Sequence, residues 1–230
     1  YLKEQFPHSK IAAAEALQCP TLLLNGYGGH RIEGIGDKHV PWIHNVRNTD
    51  MVIAVDDNNC MNLLRLLNEP AGQEYLAKSG LSDAEIESLP LLGISGIGNL
   101  IAAIKFARYY ELTEEDVVFT VFTDSMELYS SRIEELRAEF GEYNSALAMR
   151  DHHRYLLGLA TDNMLEFSYY DRKRIHNLKY FTWVEQQGRE VEELNAQWYD
   201  YPNYWKELRE QVDEIDELIR MFNEKVDLHT

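Results

Sequence analysis

Residues 91–99, Leu-Leu-Gly-Ile-Ser-Gly-Ile-Gly-Asn, leave the chain few ways to fold around them. Gly93, Gly96 and Gly98 permit a tight backbone, and Ile97, Leu100, Ile101 and Ile104 then recur at the spacing of one apolar helix face. The stretch reads as a short buried strand, a glycine turn carrying one hydroxyl, and a helix. Ser95 is thereby expected at the C-terminal end of a strand and just ahead of a helix. In open α/β sheets that is where ligands bind, because the first N–H groups of the helix are unpaired and glycines admit a close approach.

The flanking sequence supplies matching elements. Residues 10–16, Lys-Ile-Ala-Ala-Ala-Glu-Ala, suit a buried parallel strand, with a helix as the alternative. Residues 51–55 form a clear strand, followed by Asp56-Asp57-Asn58-Asn59 as an N-cap cluster and a helix through Met61, Leu63, Leu64 and Leu67. Ser82-Asp83-Ala84-Glu85 is a capping box that opens a short acidic helix. Residues 117–122, Val-Val-Phe-Thr-Val-Phe, are the most strand-like run; they end in Thr123-Asp124-Ser125 ahead of a helix through Ile133 and Leu136. Strands alternating with helices predict an α/β fold, a three-layer and mostly parallel sheet with helices on both faces. Residues 25–41 hold five glycines and a proline, too many breakers for a regular element, and so a long loop of the kind that carries function.

From Gly141 the character changes. Residues 1–140 are expected to form the body and residues 141–230 a mainly helical, aromatic extension. In the extension only residues 180–184, Tyr-Phe-Thr-Trp-Val, look like a strand, and Trp205, Leu208, Val212, Ile215, Leu218, Phe222 and Val226 form one stripe of an amphipathic tail helix. At the other end, residues 1–6 read as the end of a helix whose start is missing.

Thirty-nine acids against 22 bases give a formal charge of −17, which argues against a nucleic-acid or anionic-membrane surface. The aromatic run at 198–205 therefore reads as buried packing between tail and body, or between subunits, and not as a base-stacking platform. No apolar run approaches the roughly 18 residues of a membrane span, and the N-terminus has no signal-peptide pattern, so a cytoplasmic protein is expected. Cys19 and Cys60 fit no metal spacing and read as reduced thiols. His152 and His153 point about 100° apart on a helix, poor geometry for a shared metal, so no metal site is predicted. His30, His39 and His44 read as solvated or hydrogen-bonded loop histidines, with a proton-transfer role as the alternative.

Taken alone, the Ser95 turn leaves several chemistries open. A nucleophile elbow needs glycine where Ile97 stands. The dinucleotide fingerprint G-x-G-x-x-G is present only in the wrong order, as G-x-x-G-x-G. A hydroxyl presented to a heteroaromatic cofactor and a glycine turn that merely packs helix on strand both remain.

The turn belongs to an ordered series. Gly34-Ile35-Gly36 with Val40-Pro41 is followed by a strand and helix, then Leu92-Gly93-Ile94-Ser95-Gly96, then a strand ending in Asp124-Ser125 with Tyr129 and Ser131 beyond. Over about residues 9–136 this series resembles the C-terminal half of the fold type II pyridoxal-phosphate enzymes, specifically cysteine synthase (O-acetylserine sulfhydrylase) and cystathionine β-synthase. In that family a G-I-G-x-x-x-(I/V)-P loop, a G-I-S-S-G-A turn and a D-S-G-E-R-Y-L-S segment follow one another at similar intervals. Here Gly96 and Gly98 flank Ile97 where the family has Ser and Ala, and Met126 stands where it has Gly after Asp-Ser.

The resemblance implies pyridoxal 5'-phosphate as cofactor and residues 1–140 as the C-terminal half of the domain that binds it. Ser95, in the turn opened by Gly93, would hydrogen-bond the pyridine nitrogen. Asp124 and Ser125 would lie beside the same ring edge, with a helix cap as the alternative role for Asp124. Gly34, Ile35 and Gly36 would line the substrate mouth, Ile35 chiefly by packing. A neutral hydroxyl at the ring nitrogen makes a weaker electron sink than a carboxylate, which implies β-replacement or β-elimination on a serine- or cysteine-like amino acid. No catalytic residue is implied in this chain, because the family's Schiff-base lysine lies in an early S-x-K segment that this sequence lacks, and Lys38 does not match its position. The implied partners are an amino-acid substrate, the missing N-terminal half of the same enzyme and a second copy in a homodimer. Two rival readings are a non-catalytic binding or assembly module derived from the fold, and a nucleotide-binding domain with phosphate contacts at Gly96 and Gly98.

Overall fold

The computed structural model describes residues 2–226. Tyr1, at the head of the expected helix end, and residues 227–230 of the expected extension lie outside the described residues.

A three-stranded sheet in the order β1-β2-β3 lies at the centre: β1 (Ala12–Ala16), β2 (Met51–Val55) and β3 (Met164–Glu166). β1 runs parallel to β2 with Ala14 opposite Ile53, and β3 runs antiparallel with Met164 opposite the same residue. The sheet is therefore mixed and not mostly parallel, because its third strand comes from the extension. Asn163 turns the chain into β3 with φ +53° and accepts the Ala54 N–H through its carbonyl at 2.9 Å.

Twelve helices accompany the sheet among the described residues. Before β2 come α1 (Leu2–Gln5) and α2 (Thr21–Leu24). After it come α3 (Asp57–Asn68), α4 (Pro70–Lys78), α5 (Asp83–Ser88), α6 (Ile94–Tyr109), α7 (Ser130–Phe140) and α8 (Ser145–His152). Beyond β3 lie α9 (Tyr169–Lys179), α10 (Val191–Tyr199), α11 (Tyr201–Glu210) and α12 (Val212–Lys225). Two N-termini form as expected: Asp56 accepts the Asn58 N–H at 2.8 Å, and Ser82 and Glu85 bond reciprocally.

All five residues of β2 are buried, as befits a central strand covered on both sides. Alternate side chains divide between two cores. Met51, Ile53 and Val55 join Leu63, Leu64, Ile97 and Ile101 of α3 and α6, whereas Val52 packs with Leu22, Val40, Val46, Phe167 and Ile175. Helices thus cover both faces, one of them with material from the extension.

Three expected strands are absent. Leu89–Leu91 is a 3-10 turn led by Pro90 that follows directly on α5, so no strand precedes Ser95. Residues 117–122 are extended but paired with nothing; Val117 and Phe119 are 92% and 86% exposed. A strand needs a neighbour, and a cavity of about 180 Å³, lined by Ala12, Ala14 and Val117–Thr120, separates this run from the free edge of β1. Residues 180–184 continue α9 as a wider, π-helical coil through Gln186, which carries Trp183 to its partner, the Val40 carbonyl.

The aromatic run at 198–205 packs against the body. Trp198 is buried between Tyr169 and His176, and the Arg47 guanidinium donates to its carbonyl at 2.7 Å. The apolar stripe of α11 and α12 is exposed along Leu208, Val212, Ile215, Leu218 and Phe222. No single helix among the described residues is long and apolar enough to cross a membrane.

Candidate active site

Gly93 caps α6 in extended conformation, and its N–H donates to the Asp124 carbonyl at 3.0 Å. That bond ties the start of α6 to the loop after residue 122. One residue into the helix, Ser95 is 5% exposed, with Oγ 3.0 Å from Thr123 Oγ1 and 3.5 Å from Asp124 Oδ1. The other oxygen of Asp124 accepts the Tyr129 hydroxyl. This bond pushes the phenol up to about 12, so Tyr129 stays a neutral donor at physiological pH.

The glycine loop closes over the same point. Gly34 sits at φ +85°, and a Cβ there would lie 3.3 Å from Ser95 Cβ. Ile35 packs beside Gly98, where an added Cβ would lie 3.1 Å from its Cδ1. Gly36, at φ +97°, presents its carbonyl to His30 Nε2 at 3.2 Å. The structure thus brings Ser95, Gly93, Asp124 and Gly34 together, with Ile35 against the next turn of α6. Gly36 stands farther along the loop, and the Ser125 hydroxyl has no hydrogen-bond partner among the described residues. Thr123, Tyr129 and Glu33 belong to the cluster without having been singled out for it. Glu33 pairs with Arg132 through Oε1, while its buried Oε2 has no partner among the described residues. Thr123 and Glu33 were marked in sequence only by adjacency to Asp124 and Gly34, whereas Tyr129 already stood in the motif that begins at Asp124-Ser125.

The extension fixes the chain immediately downstream. Trp183 Nε1 donates to the Val40 carbonyl at 2.8 Å, and the Lys179 ammonium donates to the Trp42 and His44 carbonyls at 2.8 and 2.7 Å. Trp42 stacks edge-on against Trp183, and its indole N–H reaches Glu193 at 3.2 Å. Residues 40–44 are therefore held from outside by α9, α10 and the coil between them.

Gly96 and Gly98 are buried inside α6, and a Cβ at Gly96 would meet the Phe122 ring at 3.2 Å. They are packing glycines, closed to a phosphate. Gly93 is tighter still: a Cβ there would lie 2.0 Å from Asp124 Oδ1 and 3.0 Å from the Asp124 carbonyl carbon. Gly93→Ala is expected to push the 123–129 loop from α6 and to cost about 1–3 kcal/mol. Urea denaturation measures the loss, and an unchanged midpoint would contradict the geometry.

No family model matches the chain. Over 130 residues it is 31% identical to cysteine synthase B of Campylobacter jejuni, a match covering 56% of this chain and 36% of that protein. The chain is a relative of the fold type II pyridoxal-phosphate enzymes. It spans little more than a third of the length of this cysteine synthase relative. Among solved structures, a hydrogen sulfide-producing enzyme of Fusobacterium nucleatum aligns with 72% of the chain at 26% identity and a TM-score of 0.43, covering 42% of that enzyme. A variant of the same enzyme, complexed with an α-aminoacrylate intermediate, aligns at 24% identity with the same TM-score, covering 73% of this chain and 40% of that one.

Proposed function

We propose that the chain forms the ring-nitrogen side of a pyridoxal-phosphate site for β-replacement or β-elimination on a serine- or cysteine-like amino acid in the cytoplasm. The observation that carries this reading is the buried Ser95 hydroxyl, on which α6, the 123–129 loop and the Gly34 loop converge.

The residues present fit one end of the cofactor. Ser95 can accept the Thr123 proton, and its own proton, which is directed at Asp124 Oδ1 over a long 3.5 Å contact, would turn to a pyridine nitrogen. Asp124 is steadied by Tyr129 and by the backbone tie to Gly93, and Gly34 leaves the space above Ser95 free of a side chain. The bound cofactor would supply an electron sink for the substrate's α-carbon, moderated by a neutral hydroxyl at its nitrogen. Ser95 would orient the ring, Tyr129 would keep Asp124 in place, and the Gly34–Gly36 backbone would let the amino acid pass. No lysine is hydrogen-bonded to this cluster among the described residues, and Lys38 is exposed. The aldehyde and phosphate ends are therefore assigned to a complementary N-terminal half, docking along the free edge of β1 and residues 117–122. A homodimer belongs to the same reading, with the exposed stripe of α12 as a contact surface.

The test is visible absorbance with pyridoxal phosphate, for this chain alone and with the complementary half supplied as a second polypeptide. A cofactor band that forms only in the mixture and is lost or shifted in Ser95→Ala supports the proposal. Halves that associate without a band turn the chain into a binding or assembly module, and halves that fail to associate also overturn the reading.

A further inference from the structure

A second site lies away from Ser95, where α3 meets α8 and the coil that follows it. A cavity of about 560 Å³ opens there, within the range of small-ligand pockets. Its wall is a set of side chains locked into one another. Arg65, 3% exposed, donates through Nε to Glu69 at 2.6 Å and through Nη2 to the Gly141 carbonyl at 2.7 Å, and lies 4.9 Å from the Tyr143 ring centroid. The Tyr143 hydroxyl donates to the fully buried Asp151 at 2.9 Å. Arg150 donates to the other oxygen of Asp151 at 2.7 Å and to Asn62 at 3.2 Å. Asn62 in turn donates to the Tyr155 hydroxyl at 3.4 Å, and Arg154 lies over the Tyr155 ring at 5.4 Å.

The locking leaves specific capacity unused. Arg65 and Arg150 each spend only two of their three guanidinium nitrogens on protein acceptors, and Arg154 spends none among the described residues. Arg65 and Arg150 are balanced by Glu69 and Asp151 and each keeps one free terminal nitrogen, whereas Arg154 presents a whole guanidinium fork with no protein acceptor among the described residues, a match for a phosphate. The two carboxylates on the same wall narrow the choice. Asp162 is paired with the Lys105 ammonium at 2.8 Å, whereas Asp56 is oriented by the neutral Asn58 N–H and Gln18 amide and keeps its charge; neither is hydrogen-bonded to Arg154. Their remaining lone pairs call for donors, which the several hydroxyls of a sugar and a base amine provide at neutral sites, without bringing the charge of inorganic phosphate against the carboxylates. Tyr143 and Tyr155, each 7% exposed, offer rigid rings beside the arginines.

We infer that this cavity binds a nucleoside monophosphate, its phosphate on Arg150 and Arg154, its sugar and base on the asparagines, carboxylates and tyrosines. The site involves neither Ser95 nor the glycine loop, so it does not depend on the reading proposed for them. The prediction is checked by calorimetric titration of the whole chain with adenosine monophosphate, with adenosine, inorganic phosphate and pyridoxal phosphate run in parallel. Saturation in the micromolar range is expected for the nucleotide, with each partial ligand weaker by about tenfold or more. Pyridoxal phosphate, which has the ring and phosphate but no sugar, should also be weaker. Arg154→Ala removes no hydrogen bond within the described residues and should leave the urea midpoint unchanged while weakening the nucleotide about tenfold. Ser95→Ala should leave it as it was. Absence of nucleotide binding, equal binding by Arg154→Ala, or tighter binding of pyridoxal phosphate than of the nucleotide would each overturn the inference.

Discussion

Replacing Lys179 by methionine is expected to destabilise the chain by about 3–5 kcal/mol, the scale of a buried cation's acceptors left without their partner. Lys179 is 0% exposed, and its Nζ donates to the Trp42 carbonyl, the His44 carbonyl and Gln197 Oε1 at 2.8, 2.7 and 2.8 Å. Methionine fills nearly the same volume, so the loss isolates three acceptors stranded away from water and not a void. Those acceptors lie on two separate pieces of chain, the segment after the glycine loop and α10, which the lysine joins to its own helix, α9. Urea denaturation gives the size of the effect, and amide exchange at residues 40–46 gives its place. A loss below 1 kcal/mol, or exchange raised only in α12, would mean that the 40–44 segment is held by other contacts.

This knot bears on the candidate site through a chain of adjacent restraints. Residues 40–44 lie just beyond Asp37–His39, which follow the Gly34–Gly36 turn, and Gly34 of that turn lies against Ser95. The upstream end of the same loop is tied at Arg31, whose backbone N–H donates to Asp57 Oδ2 at 2.8 Å. A loop with positive φ at Gly34 and Gly36 has little preference for one shape of its own, and ties at both ends supply one. The extension thus has a structural task in positioning the loop.

Local patterns made the first part of this architecture legible. β2 announced itself as five apolar residues in a row, α3 by its Asp56 cap, α5 by its capping box and α6 by the glycine turn with its isoleucine spacing. The meeting of Gly93, Ser95, Asp124 and Gly34 was legible only through the order of three motifs, since nothing in residues 34 and 124 separately says that they approach residue 95. What failed depended on neighbours distant in sequence. Residues 117–122 have strand propensity but no strand beside them, and propensity without pairing leaves an extended, exposed chain. Residues 180–184 are aromatic and β-branched, yet the bond from Trp183 to Val40 and the run-on from α9 keep them helical. β3, three residues long, carries too little pattern to be seen at all. Lys179 was invisible for the opposite reason, because a lysine on a charged helix reads as solvated until its burial is known.

Acid should loosen the same region before it protonates most carboxylates. Burial pushes His44 down to about 4, helped by the Lys179 charge, and pushes His176 down to about 4 with help from Lys179 and Lys173. Both histidines are therefore neutral in the folded chain through a range where they are protonated in the unfolded one. Between about pH 6.5 and 4 the unfolded state binds more protons, so stability falls as pH falls through that window. At about 1.4 kcal/mol per pH unit, His44 alone contributes up to about 3 kcal/mol, and His176, lowered to the same value, adds a similar amount. Lys179, lowered to about 7 by its burial, extends the trend in the same direction, with stability rising from about pH 7 towards 10.5. Glu15 and Asp57 oppose it, since burial raises both carboxyls and favours their protonated forms in the folded chain. The variant that separates these contributions is His44→Gln. An amide can keep the bond that His44 Nε2 makes to the Thr49 hydroxyl at 2.8 Å, and it does not titrate. Urea midpoints at pH 4.5, 5.5 and 6.5 should rise less steeply in that variant than in the parent. Parallel profiles would show that His44 carries no part of the acid sensitivity and that its burial is relieved in solution.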